Sequence, residues 1–142
     1  MKNIERDQLR QERTDLLDSF QGMISFLKMA DSSYQIRINQ ILKKDLKGFD
    51  WKIFEETTKE ARDIQIEANQ AFMRIWEIDH ILANNPNTRE IMKSGGLVGA
   101  KLRAKQIEKN AKQELAHAQI DLDDWNNKVE KVTELKKNLN KA

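Results

Sequence analysis

The chain has 142 residues, 34% of them charged, with no cysteine and a formal net charge of +2. Disulfides, thiolate metal sites and cysteine nucleophiles are therefore excluded, and so small a net charge gives little general attraction to nucleic acid or anionic lipid. One proline, five glycines and a mean hydropathy of −0.77 favour long amphipathic helices over a compact sheet protein.

The N-terminal residues, Met1 to Asp7, carry charge where a signal peptide has its apolar core. No run approaches the about 20 apolar residues of a membrane-spanning helix. We therefore expect a cytoplasmic protein without membrane insertion. The frequent Lys, Asn and Ile suit an A+T-rich bacterial or phage genome.

The first predicted helix covers residues 4–46. Its apolar residues recur mainly at three- and four-residue steps, which is the heptad-like seam of a helix packed on neighbours. The seam consists of Leu9, Leu16, Phe20, Met23, Leu27, Ala30, Tyr34, Ile38 and Ile41. Gly48 is the predicted C-cap and Asp50 the next N-cap, a turn so short that the second helix must return antiparallel.

The second predicted helix covers residues 52–83 and carries the clearest apolar stripe in the chain. The stripe consists of Phe54, Ala61, Ile64, Ala68, Phe72, Ile75 and Leu82. Between Phe72 and Leu82 the apolar residues spread beyond one face, because Trp76, Ile78 and Ile81 lie around the rest of the helix. We interpret this excess as a surface for a partner.

Residues 84–99 form the predicted connection, with a short helical piece from Arg89 to Lys93. Ser94, Gly95, Gly96 and Gly99 make its end a hinge or a site ordered by a partner, and the sequence leaves both open.

The third predicted helix covers residues 100–139, and residues 136–142 form a frayed tail. Its seam keeps the four-three spacing of a coiled coil. The seam consists of Leu115, Ala118, Leu122, Trp125, Val129 and Val132.

Two Glu-x-x-His pairs, Glu77 with His80 and Glu114 with His117, have the spacing used in di-iron helical bundles. Such a site also needs two further glutamates that project inward. At 100° per residue, Glu77 and His80 lie roughly 120–180° from the apolar stripe. We therefore predict no metal site and no other cofactor.

The stretch from Phe72 to Asp79, with its Phe-x-x-x-Trp-x-x-Asp spacing, resembles the small helical adaptor proteins encoded beside LXG-type toxins of the Gram-positive type VII (Esx) secretion system. The resemblance implies a helical adaptor that binds the toxin's helical N-terminal region and escorts it to the secretion machine. The family's relatives pair an export-signal Tyr with an acidic residue four positions on, whereas Tyr34 here precedes Ile38. Any export signal would therefore come from the partner.

We predict a single all-α domain over residues 1–142: an elongated antiparallel helical hairpin plus a third long helix, as in a three-helix bundle. We expect no enzymatic activity and no nucleic-acid partner, since acidic residues lie among the basic ones. The predicted function is that of an adaptor that binds a helical partner protein; the alternative is a self-associating scaffold protein of a phage or mobile element. The predicted contact residues are Phe72, Ile75, Trp76, Asp79, Leu122 and Trp125.

Overall fold

The structure, a computed structural model, describes residues 1–141, with side chains through Leu139. Within these residues the chain forms four α-helices and no strand, which confirms the all-α prediction. The helices are α1 (Asn3–Leu42), α2 (Trp51–Asn84), α3 (Thr88–Lys93) and α4 (Leu97–Lys141). None of the described helices combines the length and the apolar character needed to cross a bilayer.

The first helix ends at Leu42, four residues before its predicted end. Lys44 has a left-handed backbone, with φ +57°, and the N–H groups of Lys44 and Asp45 return to carbonyls of the last turn at 3.1 and 2.9 Å. This hydrogen-bond pattern is a Schellman motif. The predicted cap, Gly48, instead has φ +71° in the turn that follows.

The connection between α3 and α4 is a closed turn held by hydrogen bonds within the chain. The N–H groups of Gly95 and Gly96 bond to carbonyls of α3 at 3.2 and 2.9 Å, and Gly95 has φ +82°. A Cβ on Gly99 would lie 1.6 Å from the carbonyl oxygen of Ser94. The helix α4 therefore begins at Leu97, three residues before the predicted start, because glycine lets the two backbones approach.

The fourth helix continues beyond its last apolar seam residue. Residues 136–141 are helical in the structure, where the sequence predicts a frayed tail; Ala142 lies outside the described residues. Lys136 occupies the next seam position and donates to Glu55 of α2 at 3.0 Å. Lys136 therefore continues the contact between α4 and α2 beyond the last apolar residue of the seam, through an ion pair with Glu55.

The contacts of the chain group it into two compact units. The first unit contains Met1–Phe20 and Asn69–Ala118; the second contains Gln21–Ala68 and the chain from Gln119 onward. Each unit takes one segment from α1, one from α2 and one from α4, and α3 belongs to the first unit.

Every residue of the three predicted apolar seams is buried or half-buried. The extra apolar residues of α2 are covered as well. Ile78, which was expected to face a partner, is 0% exposed, and Ile81 is half-buried. The chain itself therefore covers much of the excess that the sequence assigned to a partner.

An aromatic core fills the second unit. Tyr34, Ile38, Phe54 and Val132 are buried together, and Phe49 of the preceding turn and Trp51, the first residue of α2, pack against them. The ring of Tyr34 lies 5.7 Å from Phe54 of α2, and 6.4 Å from Trp125 of α4. One tyrosine thus contacts both other helices of its unit.

Lys128 fastens α4 to α1 in the second unit. Its ammonium group lies 2.5 Å from Asp31, 2.7 Å from Asp124 and 4.3 Å from the ring centre of Trp125. Burial alone would lower the pKa of Lys128, but hydrogen bonds to Asp124 and Asp31 outweigh it and raise the pKa above its ordinary value. Lys128 therefore stays charged between two carboxylates and the indole ring of Trp125.

Candidate partner-binding groove

Ion pairs set the register of α1 on α2 in the first unit. Arg13 Nε donates to Asp79 Oδ1 at 2.6 Å, and Arg74 Nε donates to Glu12 Oε2 at 2.9 Å. Hydrogen bonds to Glu12, and then to Glu77, raise the pKa of Arg74. The two segments are antiparallel, because Phe20, seven residues after Arg13 on α1, lies 5.9 Å from Phe72, seven residues before Asp79 on α2.

Arg6 is the most deeply placed charge of the first unit, with a side chain only 3% exposed. Its Nη1 donates to the carbonyl of Asn85, and its Nη2 donates to both carboxylate oxygens of Glu90 at 2.5 and 2.6 Å. Arg10 donates to the same carboxylate. Burial alone would raise the pKa of Glu90, but hydrogen bonding to Arg6 and the charges of Arg6 and Arg10 lower it.

These arginines line a cleft of about 580 Å³, called here the arginine cleft. Five of its lining side chains are basic and two are acidic. They are Arg6, Arg10, Arg13, Lys93 and Arg103, against Asp79 and Glu90. A cleft with this excess of cations favours an anionic group.

A second cavity of about 300 Å³, the aromatic groove, shares Arg13, Asp79 and Ile107 with the arginine cleft. It is lined by α1, α2 and α4, and its apolar residues are Leu17, Phe20, Phe72, Ile75, Trp76, Ile107 and Ala111. The shared lining residues make one surface of the two cavities, apolar in one part and basic in the other.

Trp76 is the unusual residue of the aromatic groove. It is half-buried, its ring centre lies 6.0 Å from that of His80, and its indole Nε1–H is buried without an acceptor among the described residues. A buried donor without a partner destabilises a fold by about 1–3 kcal/mol. Packing within the chain therefore does not account fully for a tryptophan at this position.

The structure brings together the four contact residues predicted on α2. Phe72, Ile75, Trp76 and Asp79 all line the aromatic groove, with Phe72 5.9 Å from Phe20 of α1. Ile75 is buried among the lining residues of the groove.

The two supporting residues predicted on α4 belong to the second unit instead. Trp125 is 4% exposed and its ring faces Tyr34 and Lys128. Almost none of its surface is accessible in this structure, as for Ile75, and its contact with a partner stays a prediction. Leu122 is half-buried and lies in the second unit with it.

The residues of the two Glu-x-x-His pairs are exposed. Glu77 is paired with Arg74 at 3.1 Å, and His80 is hydrogen-bonded by Asn84. Glu114 lines the aromatic groove, while His117 is exposed on the same helix. Across the described residues, no three histidine or acidic side chains form a group that could hold a metal ion.

The arginine cleft was not predicted from the sequence, although the spacing of three arginines in α1 gave one indication of it. Arg6, Arg10 and Arg13 follow the four-three spacing that places residues on one helix face. Read from the sequence, such a row belongs to a solvated face. Of the three arginines only Arg6 is buried, and its burial depends on Glu90, which lies 84 residues away in the sequence.

Comparison with known proteins does not add to this description. No protein-family model matches the chain, and neither curated proteins nor solved structures give a match.

Proposed function

We propose that this chain is a non-catalytic bacterial adaptor that binds an amphipathic helix of a partner protein along the aromatic groove and the arginine cleft. The observation that carries the proposal is the gathering of Phe72, Ile75, Trp76 and Asp79 on one concave surface. Grooves between helices bind amphipathic helices through apolar anchors at i, i+3, i+4 and i+7.

The character of the surface specifies the partner helix. Its apolar anchors would lie over Phe72 and Trp76, and the indole N–H of Trp76 would gain an acceptor after a small rotation of the ring. Its acidic residues would lie over Arg10 and Arg103, at the basic end. Aromatic anchors supply affinity, and the arginines fix the direction of the bound helix.

The resemblance in the Phe72–Asp79 stretch supports a particular class of partner. In this proposal the occupant is the helical N-terminal region of a type VII-secreted toxin, which the chain meets in the cytoplasm and accompanies to the secretion machine. The export signal would be supplied by the toxin.

The test is co-expression with the helical N-terminal region of an LXG-type toxin, followed by titration calorimetry. We expect Trp76→Ala to weaken binding by about 30-fold or more, as for an aromatic hot spot. Met73→Ala is the matched control, because Met73 is exposed on the same helix and outside the groove lining. Unchanged binding by the Trp76 variant, with its helical circular-dichroism signal retained, would contradict the proposal.

Light scattering of the isolated chain tests the alternative of self-association. A mass near 16.6 kDa supports a monomeric adaptor with a free groove. A stable dimer that Trp76→Ala dissociates would instead place a second copy in the groove and favour the scaffold protein.

A further inference from the structure

A second surface of the first unit lies on the outward side of α4. Its six residues are Leu97, Val98, Lys101, Leu102, Lys105 and Lys109, called here the lysine face. At 100° per residue they fall within an arc of about 140°. The inward side of the same segment carries the buried Ala100 and Ala111, so the lysine face is directed away from the unit's core.

Large apolar side chains are exposed on this face, beside the three lysines. Leu97, Val98 and Leu102 are 66, 74 and 62% exposed, and Met92 of the neighbouring α3 is 75% exposed. The hydrogen-bonded glycine turn before Leu97 fixes the start of α4 and therefore the direction of these side chains. The surface is an outer helix face rather than a cleft, so it suits insertion into another medium better than docking of a helix.

The cations of the lysine face are free of acidic partners. Lys101, Lys105 and Lys109 are all exposed, and none of them has an ion pair within the described part of the chain. The nearby Glu108 is paired with Lys112 at 3.3 Å. The near-neutral balance of the whole chain thus conceals a local cationic surface.

From this combination we infer that the lysine face binds the surface of an anionic lipid bilayer. Helices with this composition lie in the membrane interface, where apolar side chains enter the acyl boundary and lysines meet the anionic headgroups. The lysine stems cover apolar surface while their ammonium groups reach outward. Nucleic acid would use the three lysines but gain nothing from the three aliphatic side chains.

Co-sedimentation of the full chain with lipid vesicles tests the inference. We expect binding to phosphatidylcholine vesicles that contain about 30% phosphatidylglycerol, and little binding to phosphatidylcholine alone. Binding is expected to fall with added salt because the lysine contribution is screened. Equal binding to both vesicles, or to neither, would overturn the inference.

Two sets of variants separate the apolar and cationic contributions. The triple variant Leu97→Ser, Val98→Ser, Leu102→Ser is expected to lower the partition coefficient by about tenfold or more. Its control is a triple serine variant of three similarly exposed residues in the second unit. These are Met29, Ile36 and Leu42, which are 73, 60 and 73% exposed.

Replacing three lysines by glutamine, Lys101→Gln, Lys105→Gln and Lys109→Gln, is expected to lower binding by about 100-fold, near fivefold for each charge. The matched control replaces three exposed lysines of the second unit by glutamine. These are Lys28, Lys43 and Lys131.

Loss of binding in the glutamine variant with full binding in the serine variant would overturn the inference in favour of simple charge attraction, as for nucleic acid. If both control variants weaken binding as much as their counterparts, the lysine face is not the site. Circular dichroism of each variant confirms that the helices are retained.

Discussion

The two units are built from consecutive segments of the same helices, yet their interiors differ. Large apolar side chains fill the second unit, where six are buried: Leu27, Tyr34, Ile38, Phe54, Trp125 and Val132. The first unit buries two, Ile75 and Ile78, and its other buried residues are three alanines and Arg6. Each fully buried aromatic or aliphatic side chain stabilises a fold by about 1.5–3 kcal/mol, so most of the apolar stabilisation lies in the second unit.

The contacts between helices also differ between the two units. In the second unit α1 and α4 are joined directly, by Lys128 with Asp31 and by Tyr34 with Trp125. In the first unit, the described ion pairs and ring contacts join α1 to α2 and α3, and none of them joins α1 to α4. The buried Tyr34–Trp125 contact joins α1 to α4 in the second unit, and the first unit has no such contact among its described residues. Cavities of about 240 and 280 Å³ are present in the second unit too, so the units differ in the size of their buried side chains and in the contacts between their helices.

Replacing the two tryptophans gives the largest expected difference in stability between the units. Trp125→Ala should destabilise the protein by about 3–5 kcal/mol, because it removes a buried ring between Tyr34 and Lys128. Trp76→Ala should cost less than half of that, since Trp76 is half-exposed and carries an unpaired donor. Urea unfolding followed by circular dichroism measures both. Equal losses of stability would contradict the difference between the two interiors.

Two glycines give the next effect, with opposite signs in the two units. Gly99→Ala should destabilise the first unit by about 1–3 kcal/mol, because the added Cβ meets the backbone carbonyl of Ser94. Gly22→Ala, in the α1 segment of the second unit, meets nothing within 4 Å and should stabilise the protein by about 0.5–1 kcal/mol. Thermal unfolding compares the two variants. If Gly99→Ala leaves the thermal stability unchanged, the backbone of the turn before α4 can shift to accept the added Cβ, and the prediction is wrong.

The smallest effect concerns Tyr34, the one tyrosine of the sequence, whose ultraviolet absorption reports the second unit alone. Burial raises the pKa of Tyr34; the Lys128 cation lowers it in part, and Asp124 and Asp31 raise it. Lys128→Met should therefore raise the pKa further, which an alkaline titration detects.

The raised pKa of Tyr34 determines how the stability of the fold changes with pH. The unfolded chain loses its tyrosine proton first, so the contribution is complete below about pH 10 and is lost as the pH rises through the folded-state pKa. A lowered pKa in Lys128→Met would contradict the packing described for the second unit.

Helical periodicity explains why much of this fold could be predicted. Residues at three- and four-residue steps share a face whatever the rest of the chain does, so Phe54, Ala61 and Val132 were assigned correctly to the interior. The end of α1 was harder, because a lysine at position 44 takes the left-handed conformation that sequence rules assign to glycine at position 48.

The candidate groove could be predicted only in part. Phe72, Trp76 and Asp79 share a face by spacing alone, and they do line one groove. Trp125 has the same residue type as Trp76 and lies on a seam, but its burial depends on Tyr34 and Lys128, which no local pattern connects with it. Arg6 and Glu90 meet across 84 residues, a pairing that only the folded chain defines.

The distance in sequence between Arg6 and its acceptors has a consequence for the order of synthesis. The first turns of α1 leave the ribosome early, but the Asn85 carbonyl and the Glu90 carboxylate follow only 79 and 84 residues later. Until then the guanidinium of Arg6 stays hydrated, because its acceptors have not yet been synthesised. Contacts this distant along the chain form slowly. The interval leaves the groove-forming segments open to chaperones, and to an early partner, while translation continues.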